Sequence, residues 1–196
     1  MNLDLISRHL LGSMSVKKDI LEDTELLMNI QKAATLIAGR MKNGKKLMIC
    51  GNGGSAADAQ HIAAELTSVL SMDVPRPGFA AISLATDTSF LTANANDYGF
   101  EGIFERQVQA LGQDLDVLLG ISTSGNSMNV LKAFEYARGH GITPIALTGG
   151  TGGRIVDYAE ITIMVPCNKV QHIQEAHITI GHIICELIER ELGYGL

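Results

Sequence analysis

Five short apolar runs, each followed by a turn or break rich in glycine, hydroxyl, acidic or proline residues, constrain what this chain can fold into. They span residues 46–50, 80–84, 117–121, 143–147 and 161–165, with helix-like stretches before, between and after them. Such brief, continuous runs read as buried strands. Strands alternating with helices imply a mostly parallel sheet covered on both faces. The expected fold class is therefore α/β, a three-layer doubly wound sheet of five parallel strands. Its common strand order is 2-1-3-4-5, which opens a ligand crevice between strands 1 and 3 at their carboxyl ends. Pro144 should limit pairing near the start of the fourth strand.

Residues 1–44 form a helical arm, with one stripe through Leu3, Ile6, Leu10 and Leu11 and a second through Leu27, Ile30, Ala34, Ile37 and Met41. Asp23 or Thr24 would cap the second helix and Gly44 would end it. The arm is expected to pack across a subunit interface or over one sheet face. Further along, Asp87 and its threonine neighbours cap a short helix through Leu91, and residues 94–99 read as a polar turn. Helices are expected at 102–111, 128–138 and 171–192, with a flexible turn at 148–153. The expected organisation is a single domain over 1–196: arm 1–44, α/β core 45–166 and C-terminal helix 171–192.

The chain has 196 residues, 46% hydrophobic and 18% charged, enough for one buried core. A net charge of −6 without a basic stripe excludes a nucleic-acid backbone as the main partner. No apolar run approaches the ~20 residues that span a bilayer, and the N-terminus lacks a signal-peptide pattern. The expectation is a cytoplasmic protein with no membrane partner. Cys50, Cys167 and Cys185 are odd in number and set in apolar surroundings, which suits reduced, buried thiols.

The chemistry concentrates after strands 1 and 3. Gly51-Asn52-Gly53-Gly54-Ser55 makes a turn that residues with a Cβ would follow with difficulty, and the Ser55 oxygen suits a helix cap. Ser122-Thr123-Ser124-Gly125-Asn126-Ser127 offers four hydroxyls and backbone N–H groups at a helix start, which suits phosphate. No lysine follows in the GxxxxGK[ST] manner, and the first turn lacks GxGxxG spacing, so a phosphate monoester fits better than a dinucleotide. The bland reading of the second loop is a capped, serine-rich turn. His61 and Glu65 stand four residues apart on one helix face. Gln174 and His182, about two turns apart, lean to one side of the last helix. If that helix lies over the crevice, two nitrogen and two oxygen donors surround a borderline metal such as zinc. A structural histidine is the competing reading for each ring; His177 suits packing or support, and His140 and His172 carry no functional claim.

Four motifs in order then carry a resemblance over nearly the whole chain: residues 50–61, 96–100, 120–127 and 173–182. They resemble the phosphoheptose isomerases of the sugar-isomerase (SIS) domain family. The resemblance implies a flavodoxin-like SIS fold and a homotetramer that takes a small phosphosugar. It also implies conversion of sedoheptulose 7-phosphate to D-glycero-D-manno-heptose 7-phosphate, for bacterial heptose and lipopolysaccharide core synthesis. By matching motif, one zinc per subunit would lie on His61, Glu65, Gln174 and His182. The sugar would lie along Asn52, Gly53, Gly54 and Ser55, near Asn96 and Asp97, with Glu65 and Gln174 also touching it. Its phosphate would sit on Ser122, Thr123, Ser124 and Ser127. Glu65 would be the base and His182 the partner acid. Two departures stand out. Many relatives carry a Gly-Arg-aromatic step after the glutamate, where this chain has Thr67-Ser68-Val69-Leu70, and a basic residue often precedes the isoleucine that here follows His172. The alternative is a non-catalytic module of the same fold that binds the replication initiator protein; the presence of Glu65 favours catalysis. A third reading is isomerisation of a different phosphosugar.

Overall fold

The computed structural model describes residues 3–195. Residues 1 and 2 of the expected arm, and residue 196, lie outside the described residues. Five parallel strands, β1 (Leu47–Gly51), β2 (Ala81–Ser83), β3 (Val117–Ser122), β4 (Thr143–Gly149) and β5 (Ile161–Val165), form one sheet in the order β2-β1-β3-β4-β5. Leu47 and Ile49 point to one side and Met48 and Cys50 to the other, each into its own apolar cluster. The first cluster packs beneath α1 (Leu3–Glu22), α2 (Thr24–Lys42), α3 (Gly54–Thr67) and α7 (Val170–Glu191). The second lies under α5 (Ile103–Leu111) and α6 (Met128–Gly139). Burial on both faces is why the strands carry apolar residues at consecutive positions.

The register aligns the loops that matter. Gly51 pairs with Ile121 and Ser122 with Thr148, so the turns after β1, β3 and β4 leave the sheet at one level. Pro144 has its register partner on β3; toward β5 only its carbonyl bonds, accepting the Glu160 N–H at 2.8 Å, and the β4–β5 ladder begins one residue later, at Ile145 opposite Ile161. Asp23 caps α2 by accepting from the Leu26 N–H at 2.9 Å, and Gly44, with φ +72°, follows the helix end.

Several expectations change. The polar turn expected at 94–99 is mostly helix: α4 (Thr88–Tyr98) starts at its Asp87 cap and runs through Asn94, Asn96 and Asp97 until Gly99, with φ +87°. The asparagines favour turns by composition, but an effective cap and a glycine stop fix the helix length. Thr148 and Gly149 belong to β4 rather than to a flexible turn. The stripe on α1 does not cover a sheet face: Leu3, Ile6, Leu10 and Leu11 are 55–62% exposed, and only Val16 and Ile20 of that helix are buried. The layer beside β5 is instead supplied by α2 and α7.

The helices α3 and α7 run side by side in the same direction. Gly54 lies against Gln174, Ile62 against Gly181 and His61 against His182. Their closest approach is set by Gly181, where a Cβ would stand 2.8 Å from Ile62 Cδ1 and 2.9 Å from its Cγ1. Ile62 is fully buried and has no space to turn into. Gly181→Ala gains about 1 kcal/mol of helix propensity but overpacks the contact by about 1–3 kcal/mol. The expected outcome in thermal unfolding is a lower Tm that Ile62→Val partly restores; a Tm raised by Gly181→Ala contradicts this packing.

Candidate active site

The turn after β1 is shaped by steric exclusion. A Cβ at Gly51 would stand 2.7 Å from the Ser55 carbonyl oxygen and 2.9 Å from that of Ile121, and Gly53 holds φ +56°. Gly53, not Ser55, is the N-cap of α3, and no side chain caps that end. Ser55 is buried in the first turn, its N–H bonded to the Asn52 carbonyl at 3.0 Å. An uncapped helix start presents N–H groups and positive potential to the crevice. Asn52 is held from the other side of the crevice. Its amide exchanges two hydrogen bonds with Asn129, at 2.9 and 2.8 Å, and Asn129 is buried in the first turn of α6. Sequence reading missed Asn129. Its only local signal is an amide two residues after Ser127, at a helix start.

The hydroxyl loop is equally fixed. Ser122 and Ser127 oxygens lie 3.0 Å apart, Ser122 buried and Ser127 half-buried, with Thr123 and Ser124 between them. Ser127 is the N-cap of α6 and uses no side-chain bond to cap it. Gly125 has φ +64°, and a Cβ there would overlap the Gly152 carbonyl. The Ile155 N–H donates to the Gly125 carbonyl at 2.9 Å, and the Arg154 N–H to Asn126 Oδ1 at 3.1 Å. The glycine turn after β4 thus clasps the hydroxyl loop and holds four hydroxyls at a helix N-terminus, an arrangement suited to phosphate.

Where α3 meets α7, His61 Nε2 lies 2.9 Å from Glu65 Oε1 and 3.3 Å from His182 Nε2. The rings meet edge to face at 4.9 Å, and the donor atoms of His61, Glu65 and His182 all fall within 4.8 Å of one another. Two imidazole nitrogens and a carboxylate oxygen make a donor set suited to a borderline divalent cation. Donors about 2.1 Å from a tetrahedral ion stand roughly 3.4 Å apart, close to the separations here. Gln174 sits lower along α7, its amide packed on Gly54 where any Cβ would collide with it. It faces the start of α3, while the other three donors meet two turns further on. Asn96 and Asp97 bond each other at 2.8 Å on the exposed end of α4. That helix packs on α5 and the short 3-10 turn Phe100–Gly102 rather than on α3 or α7, so the chain does not bring them to the cluster.

Neighbouring groups are tuned by burial. His177 on α7 is buried and pushed down to about 4, so it is neutral; its Nε2–H donates to the Thr148 carbonyl at 3.0 Å, tying α7 to the end of β4. Burial raises the Asp58 carboxyl, an effect partly opposed by the nearby His61. Desolvation pushes the Cys185 thiol up to about 12 and raises Cys50 further, so neither is a nucleophile at neutral pH. Cys167 departs from the expected burial: it is half-exposed and accepts the Lys169 N–H at 3.3 Å.

Comparison with known proteins accords with this geometry. Residues 14–149 match the model of the SIS domain family. The chain is 49% identical over 189 residues to a phosphoheptose isomerase of Aneurinibacillus thermoaerophilus, covering 96% of this chain and 94% of that one. It is 51% identical over 187 residues to phosphoheptose isomerase 2 of Campylobacter jejuni, covering 95% and 92%. The structure of a phosphoheptose isomerase from Neisseria gonorrhoeae superposes with a TM-score of 0.90 at 41% identity, over 97% of this chain and 100% of that one. One from Francisella tularensis gives 0.91 at 38%, over 97% and 99%. With such matches running over nearly its full length, the chain belongs to the phosphoheptose isomerases of the SIS domain family.

Proposed function

We propose that this chain isomerises D-sedoheptulose 7-phosphate to D-glycero-D-manno-heptose 7-phosphate for bacterial heptose and lipopolysaccharide core synthesis. The observation that carries the reading is the convergence of Glu65, His61 and His182 where α3 meets α7, in a chain that also gathers four hydroxyls at the α6 N-terminus. The substrate's phosphate binds Ser122, Thr123, Ser124 and Ser127 at the α6 N-terminus, and its sugar lies along Asn52, Gly53, Gly54 and Ser55. Gln174, against Gly54, faces the same stretch.

The reaction moves one hydrogen between neighbouring carbons and needs no external oxidant. Glu65 takes a proton from C1, the C–H electron pair becomes the C1–C2 double bond, and the C2 oxygen takes a proton from His182. Glu65 then returns the carbon proton to C2 as the C1–C2 double-bond pair forms the new C2–H bond, and O1 gives its proton to His182, which leaves an aldehyde at C1 and both side chains as they began. His61, Glu65 and His182 would hold a zinc ion, whereas Gln174, packed on Gly54, faces the start of α3. When bound, zinc supplies positive charge that stabilises oxygen anions beside the reacting carbons. Glu65 remains 19% exposed in its side chain, open enough to meet a substrate.

The same reading extends to the assembly: residues 1–196 act as one domain within a cytoplasmic homotetramer. Support comes from the apolar stripe on α1, which the chain itself leaves uncovered. No described helix is long and apolar enough to cross a membrane. The initiator-binding alternative gains no particular observation, since Glu65 is seated among ligating groups.

Zinc-supplemented protein should interconvert the two heptose phosphates, and Glu65→Gln should lower kcat on the order of a thousandfold. An inert wild-type protein, or a fully active Glu65→Gln variant, contradicts the assignment. Asn129→Ala, which leaves the Asn52 amide without its partner, should raise KM about tenfold, equivalent to ~1.4 kcal/mol, with kcat little changed. Steady-state kinetics with an unchanged KM would remove Asn129 from the account.

A further inference from the structure

The last turn of α3 carries Glu65 and contains no basic residue to satisfy its final carbonyls. They are satisfied from outside the helix. Arg76, in the loop between α3 and β2, donates from Nη2 to the Glu65 carbonyl at 2.6 Å. Its Nη1 donates to the carbonyls of Leu66, Ser68 and Pro77 at 2.9, 3.1 and 3.0 Å. Its Nε donates to Glu189 Oε1 on α7 at 2.6 Å, and the guanidinium lies 4.1 Å from the centre of the Phe79 ring. The Arg76 and Glu189 side chains are 0% and 3% exposed.

One buried cation therefore grips the backbone of the residue that carries the carboxylate, and also the helix that carries His182. We propose that Arg76 is a positioning residue for the isomerisation, fixing the Glu65 carboxylate relative to His182; this rests on Glu65 being the base. Stability alone does not account for the arrangement. A buried ion pair is roughly break-even against apolar residues of similar volume, whereas a planar five-donor fork fixes several carbonyls at once. Misplacing a reacting group by about 1 Å can cost on the order of a hundredfold in rate. Lysine in place of Arg76 could still meet Glu189, but a point charge cannot span the carbonyls of Glu65, Leu66 and Ser68 together.

The test uses the full-length enzyme with Arg76→Lys, the double variant Arg76→Leu/Glu189→Leu, and Lys46→Met. The last breaks the Lys46–Asp116 pair, which joins the starts of β1 and β3 rather than α3 and α7, and serves as a stability control. Steady-state kinetics, Tm and amide hydrogen exchange of the last turn of α3 are measured together; there the Ser68 N–H bonds the Ala64 carbonyl at 2.9 Å. Both Arg76 variants should lower kcat by ten- to a hundredfold with KM within about threefold, and should speed exchange in that turn. The double variant should do so while keeping a Tm near wild type, and Lys46→Met should lower Tm with kcat unchanged. Wild-type kcat in either Arg76 variant, unchanged exchange, or a kcat loss that Lys46→Met reproduces would overturn the proposal. A wild-type enzyme that fails to isomerise the sugar phosphate would instead refute the functional reading, while exchange still decides whether Arg76 orders the turn.

Discussion

The close packing of α3 against α7 is the contact on which the site depends. Neither helix carries the whole cluster of ligating groups: α3 brings His61 and Glu65, and α7 brings His182. They meet because Gly181 has no Cβ to hold the Ile62 side chain away. Above this contact Gln174 packs on Gly54, and below it Glu189 bonds Arg76. The helices are thus pinned at three levels, by a missing side chain, an amide and an ion pair, and the ligating cluster lies between the outer pins. Reacting groups held on packed helices keep their geometry better than groups on loops.

The hydroxyl site at the α6 N-terminus is built differently. Its hydroxyls lie on a loop, and loops lose order readily unless their backbone is held. Here the backbone is held by the glycine turn after β4, through Gly125 against Gly152 and the Ile155 and Arg154 N–H groups. His177 ties the same region to α7 through the Thr148 carbonyl, so the turn that holds the hydroxyl loop and the helix that carries His182 share a support. Asn52 and Asn129 complete the frame across the crevice between β1 and β3. A ligand site at the point where strand order reverses gains this advantage, because α3 and α6 leave the sheet on opposite faces and enclose one gap.

The layout was legible in the sequence where it is local. Each strand is an apolar run with a turn at its end, and the caps Asp23 and Asp87 stand where their helices begin. The spacing of His61 and Glu65 and the hydroxyls of residues 122–127 declare themselves without long-range information. What escaped depends on partners distant in sequence. The α4 asparagines read as a turn because their composition says so, while the helix end is decided by Gly99. Ser55 reads as a cap, but the positive φ of Gly53 moves the cap and the helix start back by two residues. Asn129 and Arg76 act on residues 77 and 11 positions away, respectively, and no periodicity marks either. The arginine absent after Thr67 is part of that lesson: a guanidinium does reach this helix end, but from Arg76.

The central claim is that the pairing of α3 with α7 creates one metal-competent reaction centre from His61, Glu65 and His182. Its most direct test is to strip the full-length protein with a chelator and titrate zinc back while following bound metal and sedoheptulose 7-phosphate turnover in the same sample. The account predicts that turnover disappears on stripping and returns in proportion to bound zinc, saturating near one equivalent per chain. It also predicts that the tight site vanishes in a His61→Ala/His182→Ala variant. Full turnover in stripped protein, or stoichiometric zinc binding that survives loss of both histidines, would contradict it.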